Sequence, residues 1–299
     1  MKPNTTSVVV GPPPTSRPAS IIDAPRLDHR VAGYAKRLHH AQRDARRWMK
    51  YMRKQRIVRY FLGSLIYHAI EGPLRYNRYP PVHDLASAGV GIHCDLPQFL
   101  ESLGISTTEL PAIREEHKRV RQDLVDRYKV TKLSFDASWA VEELTGLFLY
   151  YVVRLLKPTT VVETGVANGH SSFYTLAALT RNDAGTLHSF DIDSTAGVLV
   201  EDRARWRLHI SNDRGPEAEL RAELQLLGSV DVFLHDSDHR YLAQLFEYET
   251  TWPFMRPGGL FASDDINSSF AFSDFVASIN QRPRLLLDRT KIIGAIRVP

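Results

Sequence analysis

Cysteine is nearly absent from this chain: Cys94 is the only one in 299 residues. An intramolecular disulfide is therefore excluded, and there is no basis for a thiolate zinc site. A reducing, cytoplasmic setting fits this composition. Long apolar runs are missing too, and none approaches the ~20 residues of a membrane span. The best candidate, Leu144 to Leu156, is interrupted by Arg154 and reads as a buried helix. The first twenty residues hold Val8-Val9-Val10 but no sustained apolar stretch before the prolines begin, so no signal peptide is expected. No internal repeat is visible. What is present is an ordinary globular composition, 43% hydrophobic and 24% charged, enough for a sizeable core.

Charge is unevenly spread. Between Arg26 and Arg59 there are twelve Lys/Arg, opposed only by Asp28 and Asp44, a local net of +10. Because the whole chain is at +4, the remainder carries −6. Residues 1–25 are rich in Pro, Ser and Thr and are expected to be a disordered tail. Residues 26–135 read as a helical N-terminal and lid region. Within it Leu27, Val31, Tyr34, Leu38, Ala41, Ala45, Trp48 and Met52 alternate spacings of four and three, a heptad seam. A more apolar helix is expected over 57–70, stopped by Gly72-Pro73, and residues 73–97 look irregular. Charged and amphipathic helices are expected over Leu110–Tyr128 and Ala137–Leu156. The seam points to self-association through the N-terminal helices, with the basic face solvated or turned to an acidic partner.

Beyond Pro158 short β-branched runs alternate with helical stretches. Strands are expected at Thr159–Glu163, Thr186–Ile192, Arg207–Ile210, Val230–Leu234 and Gly259–Ala262, with helices between them. Such alternation means βαβ units and a parallel sheet. Two further runs, Arg284–Leu287 and Ile292–Val298, flank Asp288-Arg289-Thr290 and predict a closing hairpin. The fold class is thus α/β: a doubly wound, mostly parallel sheet over 136–299, with a helical N-terminal extension.

Two constellations carry chemistry. The first predicted strand runs into Glu163-Thr-Gly165-Val-Ala167-Asn-Gly169-His-Ser171, where two glycines allow a tight turn with backbone N–H groups close to a ligand. The next strand ends in Asp191, able to accept both hydroxyls of a ribose. A strand-to-helix turn without ligand is the alternative. The fourth strand leads into Asp236-Ser-Asp238-His239-Arg-Tyr241 and the fifth into Asp264-Asp265. Neighbouring ends at the carboxyl edge of a parallel sheet would bring Asp236, Asp264 and Asp265 together. Three carboxylates without a thiolate select a hard, oxygen-loving cation such as Mg²⁺. A helix cap at Asp264 or Asp265 and a solvated Asp236 are the alternative.

The E-x-G-x-x-x-G loop followed by Asp191 resembles that of class I S-adenosylmethionine-dependent methyltransferases; nicotinamide-binding proteins usually carry G-x-G-x-x-G instead. That resemblance implies cofactor contacts from Glu163, Gly165, Ala167, Gly169, Ser171 and Asp191, and from Asp213 near the adenine. The pattern D-x-D-H-x-Y followed by G-G-x-x-x-x-D-D is similar to the bacterial macrocin-type O-methyltransferases, which act on sugar hydroxyls of natural products. It implies a Mg²⁺-dependent O-methyltransferase of a small-molecule hydroxyl. Ser237 stands where many of these proteins have Gly, and the long basic N-terminus is a further departure. For direct methyl transfer the needed group is a base for the acceptor hydroxyl. Asp238, the second acid of D-x-D, is the first candidate and His239 the second, since an imidazole with pKa near ~6.5 suits proton transfer at neutrality. An ion pair with Arg240 is the competing reading of Asp238. Two rival functions stay open: methylation of a larger acidic acceptor docked on the basic helix, and cofactor binding without catalysis. Nucleic acid is disfavoured as acceptor, because Tyr79-Pro80-Pro81 reverses the N/D-P-P-Y motif of base methylation.

Overall fold

The computed structural model describes residues 81–211 and 216–299. The chain divides into two units, Met1–Leu65 and Ile66–Pro299, and every described residue lies in the second. The proline-rich start, the heptad seam, the helix expected over 57–70 and Asp213 fall outside the described residues.

The described chain begins with α1 (His83–Ser87), β1 (Ile92–His93) and α2 (Leu96–Ser102). α1 and β1 fall in the stretch 73–97, whose prolines and glycines make the sequence look irregular, and they correct that expectation. Asp95 caps α2, its carboxylate accepting from the Gln98 N–H at 3.0 Å, with Pro97 just inside the first turn. The long helix α3 (Leu110–Val130) follows. The helix expected over 137–156 is divided. A 3₁₀ turn over Ala137–Trp139 is capped by Asp136, Ala140 is extended, and α4 covers Glu143–Leu156. Lys157 ends α4 in a left-handed conformation ahead of Pro158, which cannot continue a helix.

The alternating half contains β2 (Thr160–Thr164), α5 (His170–Asn182), β3 (Thr186–Asp191), β4 (Trp206–Ile210), α6 (Pro216–Leu227) and β5 (Val230–His235). It continues with α7 (Tyr241–Thr251), β6 (Met255–Ser263), α8 (Ala271–Ser278), β7 (Arg284–Asp288) and β8 (Lys291–Arg297). The eight strands run in the order β1-β7-β8-β6-β5-β2-β3-β4. All neighbours are parallel except β8, which lies antiparallel between β6 and β7. The predicted hairpin is there, with the sheet growing one strand further as β1 pairs with β7.

The sheet is covered on both faces, which explains its nearly continuous apolar strands. Val161, Leu187, Val232 and Leu234 pack with the helices α2 to α5, while Val162, Phe190, Val230 and Phe233 pack with α6, α7 and α8. Val161 and Val162, and Val232, Phe233 and Leu234, thus alternate between layers, with a register shift between Val230 and Val232 interrupting the alternation at the start of β5. Among the described residues no helix is long and apolar enough to cross a membrane; the run Leu144–Leu156 is the buried α4.

Register places the functional residues. Thr164 is level with Phe190 on one side and with His235 on the other, and His235 is level with Ser263. The next residue on each strand is Asp191, Gly165, Asp236 or Asp264, so four candidate residues share one sheet edge.

Asp288, which the sequence assigns to the hairpin turn, is instead a buried strand residue level with Lys291. It accepts from the Thr145 N–H at 2.7 Å and the Thr145 hydroxyl at 2.9 Å, locking α4 to the hairpin. Asp288→Ala leaves both donors buried without a partner and is expected to lower unfolding stability by about 1–3 kcal/mol. Chemical denaturation checks this, and an unchanged midpoint would show the lock to be dispensable.

Candidate active site

The turn after β2 is shaped by what it must pass. Gly165 has φ of +84°, and a Cβ there would lie 2.0 Å from the backbone oxygen of Asp236. Gly169, φ +91°, starts α5, and Ala167 between them is left-handed at φ +45°. Asp191 closes the turn from the neighbouring strand. Its Oδ2 accepts from the N–H groups of Val166 and Ala167 at 3.0 and 3.1 Å. Its Oδ1 accepts from those of Ile192 and Asp193 at 2.6 and 3.0 Å.

Glu163 and Ser171 meet beneath this loop. The Glu163 carboxylate is 1% exposed and accepts hydroxyls from Ser171 and Ser172, both at 2.5 Å, and from Ser189 at 2.8 Å. Burial pushes its pKa up to about 7 against the pull of the three hydroxyls. With three hydroxyls on its two oxygens, this acid braces the loop from behind. Asn168 braces it from the other side: its side-chain oxygen accepts from the backbone N–H of Ser134 and Phe135, each at 3.1 Å. His170 is hydrogen-bonded to the Tyr128 hydroxyl at 2.8 Å and packs edge-on to Tyr174.

The structure brings Asp236, Asp264 and Asp265 around the side chains of His239 and Lys291. Nε2 of His239 lies 3.5 Å from both Asp236 and Asp265. Nζ of Lys291 lies 3.3 Å from Asp264 and 3.1 Å from Asp265. Asp264 is fully buried, and its Oδ1 has no hydrogen-bond partner. Burial, with Asp236 adding to it, raises the pKa of Asp264, and Lys291 opposes the rise. Burial pulls His239 down, but Asp236, Asp265 and Asp264 outweigh it and raise its pKa. Asp238 is not in this group. It forms a two-pronged pair with Arg240, whose Nε lies 2.7 and 2.9 Å from its two oxygens, so the competing reading of that residue is the observed arrangement.

Two participants escape sequence reading. Lys291 opens β8 and arrives only because the hairpin folds back beside β6. Glu247, on α7, gathers the exits from below: it accepts from the Thr164 hydroxyl at 2.5 Å and the Ser237 hydroxyl at 2.8 Å, and lies 2.6 Å from Nδ1 of His235. Neither belongs to a motif, and no local signal marks them.

A mostly parallel sheet with a glycine turn after β2 and an acid at the end of the adjacent strand is a doubly wound, Rossmann-like arrangement. Residues 162–266 match the sequence model of a family described as a methyltransferase domain. No curated protein matches the chain by sequence. Among solved structures, the Podospora anserina methyltransferase PaMTH1 with SAH bound is similar at 16% identity and TM-score 0.47, over 65% of this chain and 98% of that one. An O-methyltransferase from Bacillus cereus in complex with SAH gives 15% identity and TM-score 0.45, over 60% and 90%. MycE of the mycinamycin pathway, solved with Mg, SAH and mycinamycin VI, gives 18% and 0.37, over 48% of this chain and 46% of MycE. The chain therefore spans about half the length of MycE.

The buried Glu163 has a signed pH consequence. Its folded pKa, about 7, lies above the ordinary value of 4.5, so between these pH values the native state holds a proton that the unfolded state has lost. Its contribution to stability therefore falls as pH rises from 4.5 to 7, on the order of a few kcal/mol over the window. Glu163→Gln is expected to flatten the fall in melting temperature across that range. A wild-type curve that rises with pH there, or a variant with the same slope, would contradict it.

Proposed function

We propose that the protein is an S-adenosylmethionine-dependent, Mg²⁺-dependent O-methyltransferase of a small-molecule hydroxyl, on a sugar or glycosylated natural product. The observation that carries this is the levelled register of β3, β2, β5 and β6. It sets the glycine turn and Asp191 beside three convergent carboxylates. In this reading the turn over 165–169 and Asp191 hold the adenosyl cofactor, with Asp213 near the adenine.

Asp236, Asp264 and Asp265 would hold the cation. Their donor set is all hard oxygen, and the unpartnered, buried Oδ1 of Asp264 suits a ligand-bearing position. When bound, the cofactor supplies a methyl group on a sulfonium and the cation lowers the pKa of the acceptor hydroxyl. The chain supplies position and a base. His239, set between Asp236 and Asp265, is the better placed proton acceptor, because both oxygens of Asp238 are engaged by Arg240. Asp238 then orients the turn that carries His239. Self-association through residues 27–70 and a cytoplasmic location complete the proposal; the single, exposed Cys94 fits a reducing setting.

The test pairs binding with turnover. S-adenosylhomocysteine is titrated calorimetrically into wild type and Asp191→Ala. The variant is expected to bind about ten- to a hundredfold more weakly, the ~1.5–3 kcal/mol of a charged hydrogen-bond acceptor. Transfer of a labelled methyl group to a panel of glycosides is then measured with Mg²⁺, with excess chelator, and after Mg²⁺ is restored. Activity should vanish on chelation and return. Folded wild type that binds no cofactor, or methylates at full rate under chelation, would overturn the reading.

A further inference from the structure

A second group of ligand-type side chains lies outside the acid cluster, on the other half of the sheet. His188 on β3, His209 on β4 and Glu223 on α6 converge. Nδ1 of His188 is 3.3 Å from Nε2 of His209 and 3.3 Å from Oε1 of Glu223, and Nε2 of His209 is 3.9 Å from that same oxygen. A tetrahedral zinc ion, with bonds of about 2.0–2.1 Å, holds its ligands about 3.3 Å apart. Three donors from three separate elements already stand at nearly that spacing.

We propose that Nδ1 of His188, Nε2 of His209 and Oε1 of Glu223 bind a divalent transition ion of the zinc type, with the fourth position open to water. The side chains are 12%, 18% and 20% exposed, which leaves such an opening. Donor chemistry separates this site from the aspartate cluster: two imidazoles and one carboxylate favour zinc, whereas carboxylates alone favour magnesium. The His209 ring is held in place, stacked on Phe190 with centroids 4.6 Å apart and planes at 12°. Burial is the main cause holding both imidazoles below their usual range.

The location gives the ion a consequence. Among the described residues β4 is the last strand of the sheet and pairs with β3 alone. An ion at this place would tie β4, β3 and α6 together, three residues before Asp191 on the same strand. It would be a structural staple beneath the cofactor half, independent of the acids on β5 and β6.

The experiment uses the full chain in a Cys94→Ser background, so that the exposed thiol does not compete. Zn²⁺ is titrated against a chelating dye for this protein, for His209→Ala and for Glu223→Gln. His209→Ala is expected to lose one tight equivalent, and Glu223→Gln to bind that equivalent at least tenfold more weakly. Both should retain S-adenosylhomocysteine binding, and Asp264→Asn should keep the equivalent. Should His209→Ala fail to fold by circular dichroism, Glu223→Gln decides, because the amide keeps size and shape. Equal tight zinc stoichiometry and affinity in parent and variants would overturn the proposal and leave the trio as a hydrogen-bonded packing group. Loss of the equivalent in Asp264→Asn would overturn it too, by moving the ion to the acid cluster.

Discussion

Where β2 leaves the sheet it passes over the exit of β5 with no room to spare. A Cβ on Gly165 would stand 2.0 Å from the Asp236 carbonyl oxygen, and 2.7 Å from the Cα of Ser237. The ladder continues through this crossing: Gly165 N–H donates to Phe190, Asp236 N–H to Thr164, and Asp264 N–H to His235, at 2.9, 2.8 and 2.9 Å. Four strand ends are thereby fixed at one level, and the side chains of the following residues have no freedom to drift apart. The turn that would cradle a cofactor and the acids that would hold a cation form one rigid edge. This pre-arrangement matters for group transfer, because misplacement by an ångström costs a large share of the rate.

Electrostatics at that edge is a balance of unlike demands. Asp264 is buried with one oxygen unpartnered, and Asp236 and Asp265 stand close by. Left alone, such a group would be strongly destabilising, because burying like charges is costly. Lys291 and His239 offset part of that cost, and the acids in turn raise the pKa of both. A divalent cation entering here competes with the Lys291 ammonium for the same oxygens. If a cation binds there, folding stability and metal affinity would be linked through one lysine on the hairpin.

The rhythm of strands and helices after Pro158 is legible in the sequence because most strands are short apolar or β-branched runs, several bounded by glycine, proline or acid. The closing hairpin is legible for the same reason. The two-residue strand Ile92–His93 is not, since so short a run has no periodicity and exists only by pairing with β7. The break at Ala140 in the helix expected over 137–156 is likewise set by tertiary context, with Asp136 capping one turn and α4 starting afresh. At the site, spacing shows which residues leave the strands but not where their side chains turn. Glu163 goes under the loop to three serines, Asp238 goes to Arg240, and Lys291 and Glu247 come in from distant segments. Lys291 and Glu247 are brought in by topology, and no local pattern announces them, whereas the Asp238–Arg240 pair is local and legible in the sequence.

The most direct measurement is an anomalous difference map from crystals grown with Mn²⁺, standing in for Mg²⁺, and S-adenosylhomocysteine. The account predicts one strong peak within about 2.0–2.2 Å of oxygens from Asp236, Asp264 and Asp265. It also predicts that Lys291 is displaced from its pairs with Asp264 and Asp265, and that the nucleoside lies against the turn over 165–169. A peak elsewhere, or a Lys291 ammonium still seated between the acids with no ion beside them, would contradict it.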